Sequence, residues 1–331
     1  MQSNQPLLTI AIPTYNRQHY LNILLSLLEP QSSAETRLEL IISDNASTDD
    51  TETLVRQFIR NGMHCRYIRN ESNLGADGNI LQCFMEASGK YVWILGDDDV
   101  VASKAVTKIL GYLETGEYDL VYINSFGFEE EYSFSQSSKL RQPTEFKDVK
   151  IFSSMINVFF TFISANLINK NRICEGVSPE FESLVGTNLV QLGWMYAALN
   201  RFQCGLYIHE KLVGGRSNNT GGYKLFQVFG PALKAITLHR LKDKALQRVI
   251  INGTLMRFWP VMLLGYKLSS QRFEIDAKPS EVLTLAFRKN IRFWIFVYPI
   301  FVTPFLFGRM WLLTTRFFCK LDEACGYVFT R

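Results

Sequence analysis

The sequence predicts an α/β fold with a mostly parallel central sheet, followed by a helical C-terminal region that associates with a membrane. Three observations carry this. Short apolar runs alternate with helical patterns through the first 125 residues. A polar cluster closes nearly every one of those runs. From residue 227 onward, aromatic and basic residues interleave in a mostly helical pattern.

The elements follow in order. Residues 7–12 form a buried-type strand, stopped by Pro13. Residues 20–28 place leucines at helical spacing, and Pro30 closes that helix. Residues 38–42 are a second strand, ending at Ser43-Asp44-Asn45, and residues 49–59 a helix with an acidic first turn. A third strand at 65–68, a helix at 78–87 and a fourth strand at 91–95 complete the alternation. Strand–helix alternation gives parallel pairing, with ligands at the carboxyl ends of the strands. Residues 126–150 read as a surface excursion, 151–170 and 181–200 as mixed segments, 205–209 as a strand, and 212–222 as a glycine-rich loop.

At 331 residues, 47% hydrophobic and 20% charged, the chain is neither disordered nor collagen-like, and it is too large for a disulfide-stapled miniprotein. Its net charge of +4 is unevenly spread. Residues 240–331 hold 15 lysines and arginines against 6 acidic residues, which leaves the rest of the chain mildly acidic. A basic, apolar tail points to a membrane surface or another anionic partner. The run 293–307 carries no charge, and Arg288, Lys289 and Arg292 flank it. Pro299 and Pro304 interrupt it, so an interfacial or re-entrant anchor fits better than a clean span, with a buried helical subdomain as the alternative. The six cysteines show no metal-finger spacing and read as free thiols of a reducing compartment. With no secretory signal pattern, the catalytic body is expected in the cytoplasm.

The chemistry concentrates in four clusters. Gly96-Asp97-Asp98-Asp99 sets three mutually repelling carboxylates at a strand end. Such a density of hard oxygen ligands suits Mg²⁺ or Mn²⁺ with a phosphate. An acidic turn or helix cap is the alternative for that cluster alone. Asp44 of the second cluster could accept hydrogen bonds from a nucleobase edge. Pro13-Thr14-Tyr15-Asn16-Arg17 offers an aromatic ring and a cation. Asn70 to Gly75, with Gly78-Asn79, forms a turn that admits close backbone approach.

These four motifs in this order resemble the family-two glycosyltransferases of the GT-A fold, with a match over residues 7–125 and a weaker trace to 222. The resemblance implies a metal-dependent, nucleotide-sugar-using transferase. Residues 1–125 would be its nucleotide-sugar-binding half, 126–225 its acceptor-binding half, and 226–331 the helical region that attaches to a membrane surface. On the same ground Asp44 would meet the base, while Pro13, Thr14, Tyr15 and Arg17 would line the nucleoside side with Asn45, Asn73, Gly75 and Asn79. Asp97 and Asp99 would hold Mn²⁺ or Mg²⁺, and Asp98 would lie near the ribose or donor sugar. His209 could complete the metal shell, and Arg216 could clamp the diphosphate as its loop closes. The family's usual Glu-Asp pair near residue 186 is replaced by Val185-Gly186-Thr187-Asn188. Glu180 and Glu182 are then the nearest candidates for general base.

The start of the chain, the Leu-Gly-Asp-Asp-Asp99 variant and residues 161–166 look most like bacterial O-antigen transferases, abequosyltransferases among them. That resemblance implies a CDP-3,6-dideoxyhexose donor and a polyprenyl-diphosphate-linked oligosaccharide acceptor. It also implies a place on the cytoplasmic face of the bacterial inner membrane, with no nucleic-acid partner. A transferase for another surface polysaccharide, a sugar nucleotidyltransferase and a non-catalytic membrane-associated scaffold are the competing readings. The nucleotidyltransferase would need a glycine-rich phosphate loop after the first strand, and a dinucleotide dehydrogenase GxGxxG; neither is there.

Overall fold

The computed structural model describes residues 5–32, 35–134, 141–173, 179–217, 223–270, 274–275, 277–327 and 330. The chain divides into two compact units, Met1–Lys147 with Phe160–Ser217, and Asp148–Phe159 with Asn218–Arg331.

The first unit is the α/β body. Strands β1 (Leu8–Thr14), β2 (Leu38–Asp44), β3 (Arg66–Arg69) and β4 (Tyr91–Ile94) pair in parallel in the order β3-β2-β1-β4. The connecting helices are α1 (Gln18–Ser32), α2 (Thr51–Arg60) and α3 (Gly75–Glu86). The sheet continues through β5 (Val100–Val101), β6 (Leu120–Phe128), β7 (Thr144–Phe146), β8 (Asn166–Asn169) and β9 (Gly205–Arg216). There β8 runs antiparallel between β4 and β6, while β6 and β9 are parallel. Leu8, Ile10, Ile12, Leu40, Ile42, Tyr91 and Trp93 are buried in the core, as continuous apolar strands covered on both faces should be.

Two prolines behave differently from the sequence expectation. β1 continues through Pro13 to Thr14. The carbonyl of Ala11 accepts from Leu95 N on the β4 side, so the nitrogen of Pro13 faces that same side. β4 pairs with β1 only as far as Ala11, so no ladder bond is lost. α1 likewise runs past Pro30 to Ser32, and the side chains of Gln31 and Ser32 bond the carbonyls of Leu27 and Leu28. The expected surface excursion contains ordered pairing: β6 reaches Phe128, and β7 pairs antiparallel with β9.

The larger correction concerns the expected glycine-rich loop. Residues 212–216 are strand, the end of β9, and residues 218–222 lie outside the described residues. A Cβ on Gly214 would stand 2.8 Å from the rings and methyls of Phe126 and Val100, and one on Gly215 would stand 2.7 Å from Phe162. The glycines are there so that large side chains can cover the strand closely.

The second unit is helical. It is built from α5 (Val149–Ile156), following α4 (Ala105–Thr115) of the first unit, and from the segments Leu233–Arg240, Lys244–Gly253, Trp259–Leu268, Pro279–Phe287 and Phe305–Ala324. Its core joins Phe226, Leu255, Trp259, Leu263, Leu283, Phe287, Phe293, Val297 and Ile300. Lys244–Leu268 is the one helix among the described residues long and apolar enough to cross a membrane, and most of it is buried in the unit. Five cysteines are free thiols; Cys174 lies outside the described residues.

Candidate active site

The parallel strands end side by side. Register places Thr14 opposite Asp44, and Asp44 opposite Arg69, with Gly96 just beyond β4. The four sequence clusters therefore meet at one edge of the sheet.

Asp97 and Asp99 are buried, at 4% and 5% exposure. The Thr14 hydroxyl donates to Asp97 Oδ2 at 2.8 Å. Arg17 Nη1 lies 3.1 Å from Asp97 Oδ1 and 3.3 Å from Asp98 Oδ2. Asp99 folds back over Gly96, where a Cβ would stand 2.9 Å from its Oδ2. Asp99 accepts from the Ser164 hydroxyl and, at 3.1 Å, from Arg216 N. Ser164 in turn accepts from Gly96 N at 2.9 Å, and its carbonyl accepts from Trp93 Nε1 at 2.8 Å.

Burial pushes the Asp97 carboxyl up to about 6, aided by repulsion from Asp98 and opposed by the attraction of Arg17. Burial, then Asp98, pushes Asp99 up to about 7. Desolvation of the Arg17 guanidinium is outweighed by Asp97 and Asp98, so its pKa rises. The Arg17 guanidinium thus pairs with Asp97 and Asp98, while Asp99 is held by neutral donors, and burial disfavours charge on both Asp97 and Asp99. A divalent cation would relieve that penalty, and carboxylate oxygens are its preferred ligands. The donor set fits Mn²⁺ or Mg²⁺. Among the described residues, no three His, Cys, Asp or Glu side chains already form a cage.

Arg216 stands at the end of β9, as its sheet position requires. Its guanidinium lies 4.8 Å from the Tyr20 ring centre and 4.7 Å from that of Phe128, and Nε donates to Asp98 O at 3.4 Å. It is therefore an anchored strand residue, in contrast to the expected loop clamp.

His209 does not join the carboxylates. Ile208 pairs with Ile123 and Arg216 with Phe128. At about 3.3 Å per strand residue, the five-residue step along β6 sets Ile208, the residue before His209, roughly 16 Å from Arg216, whose backbone N is the group that meets Asp99. His209 Nε2 is 2.8 Å from Thr144 Oγ1, and burial lowers its pKa. The expectation that it completes the metal shell is corrected on that distance.

Asp44 is fully buried. It accepts from Ser47 N at 2.8 Å and from the Tyr67 hydroxyl at 2.5 Å, with Arg69 Nε at 3.8 Å. The neighbouring Ala46 has φ +63°, a strained value for a side-chain-bearing residue. Asn45 braces the turn: its amide donates to Asn73 Oδ1 and Gly75 O, and its carbonyl accepts from Leu74 N at 2.8 Å. Asn79 is buried and bonds both ends of Ser43. Gly75 has φ +75°, which glycine adopts freely. Pro13 is half-buried and Tyr15 is exposed.

Glu180 and Glu182 are exposed on the short helix Pro179–Glu182, whose Phe181 packs on Phe84 and Trp194. Sequence reading passed over Asp77, which is buried in the first turn of α3 and accepts from Asn188 N at 2.7 Å. Burial raises its pKa. It pins a backbone where Gly186 has φ +89° and Asn188 +59°. The helix begins at Gly75, three residues before the expected start, which puts Asp77 inside its first turn. Tyr67 and Arg69 were also missed, although strand alternation puts both on the face of Asp44.

The profile of Glycosyl transferase family 2 matches residues 9–172. Abequosyltransferase RfbV of Salmonella typhimurium is 32% identical over 237 residues, covering 64% of this chain and 67% of that protein. The chain belongs to glycosyl transferase family 2. Another protein of similar sequence is the GalNAc(5)-diNAcBac-PP-undecaprenol beta-1,3-glucosyltransferase of Campylobacter jejuni, 31% identical over 37% of this chain and 38% of its own length. Among solved structures, S. aureus TarS 1–349 aligns over 96% of this chain and 91% of its own, with TM-score 0.57 at 16% identity. Mannosyltransferase PcManGT of Pyrobaculum calidifontis, solved with GDP-Man and Mn²⁺, covers 97% of this chain and 87% of its own, with TM-score 0.53 at 13% identity. At such identities these structures speak for the fold, which is GT-A.

Proposed function

We propose that this family 2 glycosyltransferase moves a sugar from a nucleotide diphosphate to a polyprenyl-diphosphate-linked oligosaccharide in O-antigen synthesis, with a CDP-3,6-dideoxyhexose such as CDP-abequose as donor. The observation that carries the reading is the pair of carboxylates Asp97 and Asp99, both buried at the strand ends with Asp98 between them in the chain. The similarity to an abequosyltransferase supports the donor. Structural neighbours holding UDP-GlcNAc or GDP-Man support a nucleotide-sugar in general.

Asp97 and Asp99 are the groups that would hold Mn²⁺ or Mg²⁺, which when bound would offset charge on the departing diphosphate. Asp44 would accept from the base. Arg17 balances Asp97 and Asp98 and keeps the carboxylates oriented. Arg216, fixed by two rings, presents a cation beside them. Glu180 and Glu182 are the candidates for deprotonating the acceptor hydroxyl, and their exposure leaves their access to an acceptor open to solvent. Work on a lipid-linked acceptor would place the enzyme on the cytoplasmic face of the inner membrane, where residence at the surface raises effective concentration.

The test is a panel of CDP-, UDP-, GDP- and dTDP-sugars with Mn²⁺ or Mg²⁺ and a lipid-linked acceptor, followed as nucleotide release and labelled product. Turnover confined to a CDP-dideoxyhexose is expected. A preference for another donor overturns the abequosyl reading. Formation of nucleotide sugar from a sugar phosphate and a nucleoside triphosphate overturns the transferase reading.

A further inference from the structure

The helix Phe305–Ala324 has an unusual division of faces. Gly308, Thr315 and Asp322 are buried, and Asp322 lies 3.4 Å from Arg257 Nη2 within the same unit. The opposite face is apolar and open to solvent. Leu306, Phe307, Met310, Leu313 and Phe317 are each 60–71% exposed, and Leu321 is 39% exposed. Spacings of three and four residues align them in one stripe. At 1.5 Å rise per residue, the stripe runs most of a helix about 30 Å long. Allowing about 150–250 Å² per large side chain, the exposed apolar area is roughly 700 Å². Ordinary monomers carry patches of about 300–600 Å² at most.

Charge says what covers it. Arg309, Arg316 and Lys320 are exposed at separations of seven and four residues, so they line one edge of the stripe. Of the two acids on the helix, Asp322 is buried and Glu323 pairs with Arg257 at 2.7 Å. Arg288 and Lys289, in the same unit, are exposed as well. Five charges within 20 residues exclude a span, and an amphipathic helix with a basic edge is suited to the headgroup boundary.

We propose that Phe305–Ala324 lies in the plane of an anionic phospholipid bilayer. Leu306, Met310, Leu313 and Phe317 enter below the headgroups, and Arg309, Arg316 and Lys320 meet the lipid phosphates. The attachment surface thus falls mainly after the run 293–307, whose Phe293, Val297 and Ile300 are fully buried in the unit's own core. This inference does not rest on the donor reading, because its test measures no transfer.

The full chain is floated with phosphatidylglycerol-rich vesicles and with pure phosphatidylcholine vesicles. Its mass is measured in parallel by light scattering. The expected result is recovery with anionic vesicles at least tenfold above that with phosphatidylcholine. The exposed double variants Leu313→Glu/Phe317→Glu and Leu313→Ser/Phe317→Ser should each lose at least tenfold of that binding with unchanged thermal unfolding. Arg309→Glu/Arg316→Glu/Lys320→Glu should lose the preference for anionic lipid. Binding that both double variants retain overturns the proposal. So does a dimer that these variants turn into a monomer while vesicles capture neither form, since a second copy would then cover the stripe.

Discussion

Asp99→Asn should make the protein more stable in chelator and inactive in transfer. Asp99 has an ordinary carboxyl value of 3.8, raised in the fold to about 7. Keeping it ionised at pH 8 therefore costs about 4 kcal/mol relative to the unfolded chain. The asparagine amide escapes that cost, can still accept from Arg216 N, and can donate to Ser164. Allowing half of the gain for imperfect replacement leaves about 2 kcal/mol, or roughly 4–8 °C in unfolding temperature for a unit of this size. The sign follows from a raised folded value. The wild type carries no penalty below pH 4 and the full penalty above pH 7, so the advantage of the variant should open between those limits. Thermal unfolding from pH 4 to 8 in EDTA reads this directly. Adding Mn²⁺ at a hundred times its dissociation constant should restore about 2.7 kcal/mol to the wild type alone. A variant less stable than the wild type at pH 8 in EDTA, or one that transfers sugar at full rate in EDTA, would refute the reasoning.

Asp44→Ala should weaken free-nucleotide binding by about 1–3 kcal/mol, measured by calorimetry, since it deletes a charged acceptor; unchanged affinity removes Asp44 from the site. Gly214→Ala should cost about 1–3 kcal/mol of stability because its Cβ would press on Phe126 and Val100, and denaturant midpoints will show it. Gly253→Ala should destabilise the helical unit, since its Cβ would fall 1.7 Å from Asn157 Nδ2, which donates to Val249 O; limited proteolysis is the readout. Arg17→Ala should raise the Mn²⁺ or Mg²⁺ needed for half-maximal activity only slightly but lower the turnover rate, and a variant with wild-type turnover argues that Arg17 is dispensable.

Where local pattern and burial agree, the fold could be read from sequence. The runs containing Ile10, Ile42 and Trp93 are apolar on both faces because both faces are covered, so the strands and their parallel pairing were plain. The clusters at Asp44 and Asp97 were legible because parallel topology puts strand ends together. Other features depend on distant partners. Gly214 and Gly215 look like a flexible loop until Phe126, Val100 and Phe162 are set over them. Pro13 looks like a stop until β4 is seen to end its pairing at Ala11. The distance of His209 from the site follows from its place seven residues before Arg216 on one strand, whose full length Gly205–Arg216 no local motif announces. The open stripe on Phe305–Ala324 shows the same limit, since periodicity alone cannot say which face of a helix the fold leaves uncovered.

The ladder irregularity between β6 and β9 separates two parts of the strand in evolutionary terms. Between Ile208 and Val213 the strand advances five residues while β6 advances two, from Ile123 to Ser125, and regular pairing resumes through Arg216 opposite Phe128. Residues gained or lost inside that swelling would be absorbed there. They would leave Arg216 N on Asp99 and its guanidinium between Tyr20 and Phe128. The segment around His209 is thus a place where the sequence can lengthen, shorten and diversify while the carboxylate edge keeps its alignment.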